Sequence, residues 1–171
     1  MACRRAIRRL GTVISLIQRV LKASVVVDGD VVGEIEHGLL VFVGVERGDT
    51  AADADATARK IGALRVFPGR TPTDLAVGEV GGGCLVVSQF TLAAELRHGN
   101  RPDFTAAAAP VDAEALYRRV AEQLAGTGLR VATGRFGASM QVRLDNDGPF
   151  SLVLTVRDGK VRERSAPTAP A

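Results

Sequence analysis

Residues 38–45 read Gly-Leu-Leu-Val-Phe-Val-Gly-Val, a run with no charged or polar side chain. A run of this kind is expected of a strand covered on both faces rather than one with a wet side. A second buried strand is predicted at 84–87, Cys-Leu-Val-Val, and it leads into Ser88-Gln89-Phe90-Thr91-Leu92. Between the two, Thr50 can cap a helix running to about Arg65, with Ala54, Ala58, Ile61 and Leu64 or Arg65 on one stripe. Upstream, residues 14–20 alternate as a strand, and 23–27 with 31–35 form a hairpin around Asp28-Gly29-Asp30. Downstream, residues 68–83 hold two prolines and five glycines and read as a loop or loosely paired segment. Residues 93–110 are a long connection of the kind usually kept for function. Asp112 is placed as the cap of a second helix to about Ala125, with Leu116, Val120 and Leu124 on one face and Gly126 ending it. Strands at 129–133, 139–144 and 151–156 close the pattern. The sum is one α/β domain of about eight strands and two helices.

The chain has 171 residues, 46% of them hydrophobic, which suffices for a core without disulfide or metal staples. No apolar run reaches the ~18–20 residues that a membrane-spanning helix requires. The whole-chain charge of +3 divides unevenly: +4 in residues 1–12, +2 in 157–171 and −3 in 13–156. The body therefore carries no basic compositional footprint for nucleic acid, and any binding of RNA would rest on few local contacts. Residues 1–12 contain Arg4, Arg5, Arg8 and Arg9 but no apolar signal core. They are read as an extension, from an upstream start, ahead of a domain covering 13–156. Residues 157–171 mix charge with Pro, Ala and Ser and are expected to be a disordered tail. Cys3 and Cys84 form neither a C-x-x-C pair nor a zinc spacing, as expected of reduced thiols in the cytoplasm.

The catalytic motifs that are absent narrow the chemistry. The chain has no G-x-S-x-G elbow, Walker A loop or H-E-x-x-H, and Gly81-Gly82-Gly83 precedes a strand instead of opening a helix. A Ser-His-Asp triad would have to use His37 or His98, both expected in surface loops. The hydroxyls and main-chain amides at 88–91 end a buried strand, where α/β sheets bind ligands. They read either as polar groups closing the strand or as a site able to hydrolyse an activated ester with a held water and oxyanion donors. Asn146-Asp147-Gly148-Pro149 reads by pattern as a turn between two strands.

Taken together these segments resemble the D-aminoacyl-tRNA deacylases. The stretch from Leu85 to Ala93 is similar to that family's SQ-x-T motif, and Asn146-Asp147-Gly148-Pro149 to its Asn-x-Gly-Pro motif. The ordered similarity extends over Ile17-Gln18-Arg19-Val20, Arg101-Pro102-x-Phe104, Ala115-Leu116-Tyr117 and Thr133-Gly134-Arg135-Phe136-Gly137-Ala138-x-Met140. The resemblance implies a single α/β domain, barrel-like or with a strongly curved sheet and two main helices, acting as a cytoplasmic homodimer. It implies a proofreading hydrolase that cleaves the ester joining a D-amino acid, or mischarged glycine, to the terminal adenosine of tRNA, with no cofactor or metal. Ser88, Gln89, Phe90 and Thr91 would line the ester and the adenosine, with Met140 and Phe136 beside them. Gly148 and Pro149, joined by a cis peptide, would enter the partner's site and exclude an L side chain. Arg19 would fix them by bonding their carbonyl. Thr91 is either a nucleophile, for which its motif offers no base, or a group that positions water with help from the ribose 2′-hydroxyl. Two departures stand out: Phe150-Ser151 replaces the usual Val-Thr, and residues 69–75 replace a Gly-Lys-Met-Asn-like run. The rival readings are a non-catalytic tRNA- or DNA-binding dimer and a general esterase using Thr91.

Overall fold

A computed structural model describes residues 11–97 and 99–162. Strand β1 (Val13–Val27) is followed by β2 (Asp30–Ile35), β3 (Gly38–Gly44), helix α1 (Ala51–Ala63) and β4 (Gly83–Ser88). A 3-10 turn (Phe90–Ala93), helix α2 (Pro110–Ala125), β5 (Arg130–Thr133), β6 (Gln141–Arg157) and β7 (Lys160–Arg162) complete the order. The strands make one sheet in the order β5-β4-β3-β1-β6-β7, with β2 paired to the far half of β1. Pairing is parallel for β3–β4 and β4–β5, the strands separated by helices, and antiparallel elsewhere.

The all-apolar run is explained by its two covered faces. Leu39, Val41 and Val43 point, with Cys84 and Val86, into a core capped by Ile61 of α1 and Val120 and Leu124 of α2. Leu40, Leu85 and Val87 face the other way, into a second core with Val20, Val25 and Ile35. The sheet curls to enclose that second core. At Gly33 the β2 backbone comes so near β5 that an added Cβ would lie 2.3 Å from the Thr133 carbonyl oxygen. The single domain is thus α/β with a strongly curled sheet and two helices. Burial pushes the Cys84 thiol up to about 12, so it is an inert core group; Cys3 lies outside the described residues.

Four expectations need correction. The strands predicted at 14–20 and 23–27 are one strand, β1, because β6 runs along its other edge throughout and holds the halves together. The segment Asn146-Asp147-Gly148-Pro149 is not a turn between strands but lies inside β6. Asp112 does not cap α2. Ala109 does, and Pro110 opens the helix, where its missing N–H costs nothing and its fixed φ suits the first turn. Finally, residues 157–162 are not tail: Arg157 ends β6, and β7 pairs back onto it across Asp158-Gly159. Residues 163–171, like 1–10, lie outside the described residues. The helix predicted from Thr50 forms as α1. Asp53 accepts from Thr50 N at 2.8 Å and Thr50 Oγ1 at 2.7 Å, and its other oxygen takes Gly159 N at 2.8 Å, tying α1 to the β6–β7 turn.

Candidate active site

The end of β4 is held against β3 before the chain turns. Ser88 pairs with Val43, and Gln89 N donates to the Val43 carbonyl at 2.8 Å. The 3-10 turn then packs on Gly44, where a Cβ would meet Leu92 Cβ at 2.8 Å and the Gln89 carbonyl at 2.9 Å. A side chain at position 44 would push the turn away, so glycine there sets where the motif sits. Gln89 Nε2 donates to Thr91 Oγ1 at 2.5 Å, which orients both side chains of the motif.

Beside this turn lies a pocket of about 480 Å³, walled by Ser88, Gln89, Phe90, Tyr117, Phe136 and Met140 among others. Tyr117 was not singled out as a wall residue from sequence. Its signal is the need of a buried phenol for a partner, met here by the Val86 carbonyl at 3.0 Å, and burial raises its pKa so that it remains a neutral donor. Met140 can seat because residue 134 is glycine: a Cβ there would be 2.6 Å from the Met140 sulfur. Five sequence-predicted residues, Ser88, Gln89, Phe90, Phe136 and Met140, thus come together in the pocket wall. Thr91 stands next to it through Gln89.

Arg19, Gly148 and Pro149 do not line that pocket; they form a second cluster. Gln18 pairs with Ser151 and Val20 with Asn146, so Arg19 alone faces the four residues Asp147, Gly148, Pro149 and Phe150. Those four bulge from the ladder, which suits a proline that has no N–H to donate. The Gly148–Pro149 peptide is cis. Arg19, only 8% exposed, is held by three groups: its Nε is 2.7 Å from Asp147 Oδ2, Nη1 donates to the Val66 carbonyl at 2.5 Å, and its carbon lies 4.2 Å over the Phe150 ring. Asn146 Nδ2 donates to the Arg19 and Phe150 carbonyls at 3.1 and 3.2 Å, closing the base of the bulge. Arg19 therefore grips the bulge through the Asp147 carboxylate, a partner that the motif reading did not single out. Along β6 from Val142 in the pocket wall to Gly148 is six residues, roughly 20 Å at ~3.4 Å each.

His37 is excluded as a base for Ser88 or Thr91. It precedes β3 at the end where Gly38 pairs with Gly83, five residues from the Val43–Ser88 pair, and its ring packs edge-on against Phe67 at 5.0 Å. His98 lies outside the described residues. Among the described residues no group of three or more His, Cys, Asp or Glu is placed to hold a metal ion. No helix of the structure is long and apolar enough to cross a membrane.

The family model described as D-Tyr-tRNA(Tyr) deacylase matches residues 16–155. A D-aminoacyl-tRNA deacylase of Cereibacter sphaeroides is 52% identical over 139 residues, covering 81% of this chain and 96% of the relative. One from Aeromonas hydrophila is 50% identical over 144 residues, covering 84% and 99%. Among solved structures, a c-Myc DNA unwinding element binding protein superposes with TM-score 0.77 at 38% identity, covering 82% of this chain and 97% of that one. A probable eukaryotic D-amino acid tRNA deacylase superposes with TM-score 0.73 at 17% identity, covering 85% and 100%, a likeness of fold.

Proposed function

We propose that this chain, which belongs to the D-Tyr-tRNA(Tyr) deacylase family, hydrolyses the ester between a D-amino acid and the terminal adenosine of tRNA. The observation that carries the proposal is the pocket walled by Ser88, Gln89, Phe90, Phe136 and Met140 with Thr91 hydrogen-bonded at its edge. Water attacks the acyl carbon, the bond to the ribose oxygen breaks, and that oxygen takes the proton, leaving a free D-amino acid and tRNA. Main-chain amides of the motif turn serve the developing oxyanion, a type of donor whose loss typically costs ~2.7–4 kcal/mol. Thr91, with its hydroxyl held by Gln89 and no described histidine near, positions water rather than attacking.

The discrimination of hand is assigned to Gly148 and Pro149 of a second copy. Within one chain the cis peptide stands roughly 20 Å along β6 from the pocket wall, on an exposed bulge. A homodimer that exchanges these bulges brings backbone oxygens to the substrate's amino group and leaves no room for an L side chain. Such a gate reads only what all substrates share, so it admits every D residue and glycine alike. Arg19 holds the bulge in shape through Asp147 and Phe150. The unit assigned the activity is residues 13–162, the 13–156 domain together with the β6–β7 hairpin, acting in the cytoplasm without cofactor.

The test is deacylation of D-Tyr-tRNA and L-Tyr-tRNA side by side, with and without EDTA. Rapid loss of the D-ester alone, unchanged by EDTA, is expected. Equal loss of both would refute the gate, and loss of neither the activity. A second reading, DNA binding, draws on the 38% identity to the unwinding element binding protein. The −3 charge of residues 13–156 does not separate this reading from the tRNA one, since both partners are polyanions. Retention of a DNA oligonucleotide at physiological ionic strength by a chain lacking residues 1–12 and 163–171 would favour DNA binding.

A further inference from the structure

The chain has seven aromatic side chains, and two of them, Phe90 and Phe104, are exposed, at 57% and 37%. They touch each other, edge to face, with ring centroids 5.2 Å apart. Phe90 is part of the pocket wall, whereas Phe104 lies outside it. The order outward is therefore pocket, Phe90, Phe104. Phe104 is also firmly placed. Its carbonyl accepts from Ala107 N at 3.0 Å, Ala107 and Ala108 belong to the pocket wall, and Ala108 N donates to the Val45 carbonyl at 3.0 Å. On its other side Glu95 and Asp103 exchange backbone hydrogen bonds of 2.8 and 3.1 Å, which closes the loop that carries Arg101.

We propose that Phe104 is a stacking platform for the nucleobase that precedes the terminal adenosine in the acceptor end of the RNA substrate. This deepens the function proposed above, since the pocket takes the ester and its adenosine. A single strand leaving that pocket past Phe90 meets Phe104 next. Every base offers a π-face, so such a platform is tolerant of sequence, and a lost base–aromatic stack is worth ~1–3 kcal/mol. Arg101, three residues earlier on the closed loop and without a carboxylate partner among the described residues, supplies a cation for the accompanying phosphate.

The experiment compares binding of adenosine with that of the dinucleotide cytidylyl-adenosine to the full chain and to Phe104→Ala. Wild type is expected to bind the dinucleotide more tightly by about 5- to 150-fold, the ratio that ~1–3 kcal/mol represents, and Phe104→Ala to lose that increment while its affinity for adenosine is kept. Phe104→Trp should restore it. In turnover, Phe104→Ala should raise KM for D-Tyr-tRNA with kcat retained and leave hydrolysis of the D-tyrosyl ester of adenosine unchanged. Equal affinity of wild type for the two ligands would overturn the platform. So would a Phe104→Ala chain that weakens both equally, or one whose oligomeric mass changes, since the ring would then be covered by a second copy. A wild-type chain that shows the binding increment but cleaves no ester would overturn the hydrolytic reading and leave the platform standing.

Discussion

Arg19→Lys isolates what the guanidinium contributes beyond its charge. The native side chain reaches three groups at once: Asp147 Oδ2 at 2.7 Å, the Val66 carbonyl at 2.5 Å and the Phe150 ring at 4.2 Å. A lysine ammonium on a longer, thinner stem can keep the ion pair but cannot also present a planar face to Phe150 and a second donor to Val66. The hydrogen bond from a charged donor to the Val66 carbonyl contributes ~1.5–3 kcal/mol, and the ring contact ~0.5–2 kcal/mol. Together the substitution should cost about 3 kcal/mol, which lowers Tm by ~6–12 °C for a domain of this size. Because Asp147 is 33% exposed, the carboxylate itself keeps some solvent and the loss stays below that of a fully buried pair. Thermal unfolding followed by circular dichroism measures the first quantity. A double-mutant cycle with Asp147→Asn separates the ion pair from the remaining contacts. If the bulge is the chiral gate, the same variant should hydrolyse D-Tyr-tRNA more slowly and L-Tyr-tRNA relatively faster. A Tm within ~2 °C of wild type, together with unchanged D-over-L preference, would show that Arg19 neither stabilises nor shapes the bulge.

Four further perturbations test other parts of the structure. Gly44→Ala places a Cβ 2.8 Å from Leu92 Cβ and 2.9 Å from the Gln89 carbonyl, so it should displace the motif turn and cut kcat on D-Tyr-tRNA at least about tenfold, with an overpacking cost of ~1–3 kcal/mol. Gly62→Ala in α1, whose nearest neighbour is Leu124 Cδ2 at 3.7 Å, should instead raise Tm with activity unchanged, since alanine favours a helix by ~0.5–1 kcal/mol over glycine. Asp49 is pushed up to about 7, first by burial, with the Asp53 and Glu46 charges adding and the Glu46 backbone hydrogen bond and Arg157 opposing. Its folded state holds the proton more tightly than the unfolded chain, so stability should fall as pH rises between about 4 and 7 and level off above. Asp49→Asn should flatten that slope and melt above wild type at pH 8; an unchanged slope would dismiss Asp49 as its source. Asp53→Ala removes an acceptor only 2% exposed that serves Thr50 N, Thr50 Oγ1 and Gly159 N. It should cost about 3 kcal/mol through buried unpaired donors and lower Tm by ~6–12 °C, loosening the α1 start and the β6–β7 turn together.

Much of this protein is legible in its sequence because the governing interactions are local. Two-faced apolar runs at 38–45 and 84–87 specify central strands, and Thr50 with Asp53 specifies the start of α1 within one turn. The motif residues Ser88, Gln89, Phe90 and Thr91 are also local, since one strand end and one 3-10 turn bring them side by side. Tertiary structure decided the rest, wherever a residue's partner lies far along the chain. That 14–20 and 23–27 form one strand depends on β6, more than a hundred residues later, running along the other edge of β1. That Asp147 to Phe150 form a bulge inside a strand depends on Arg19 standing alone opposite them. No periodicity encodes which carboxylate an arginine meets, or that Phe104 of a long connection comes to rest on Phe90. Those pairings are set by how the sheet curls and where its loops return, and the curl arises from backbone approaches such as Gly33 to Thr133 that only the folded chain makes.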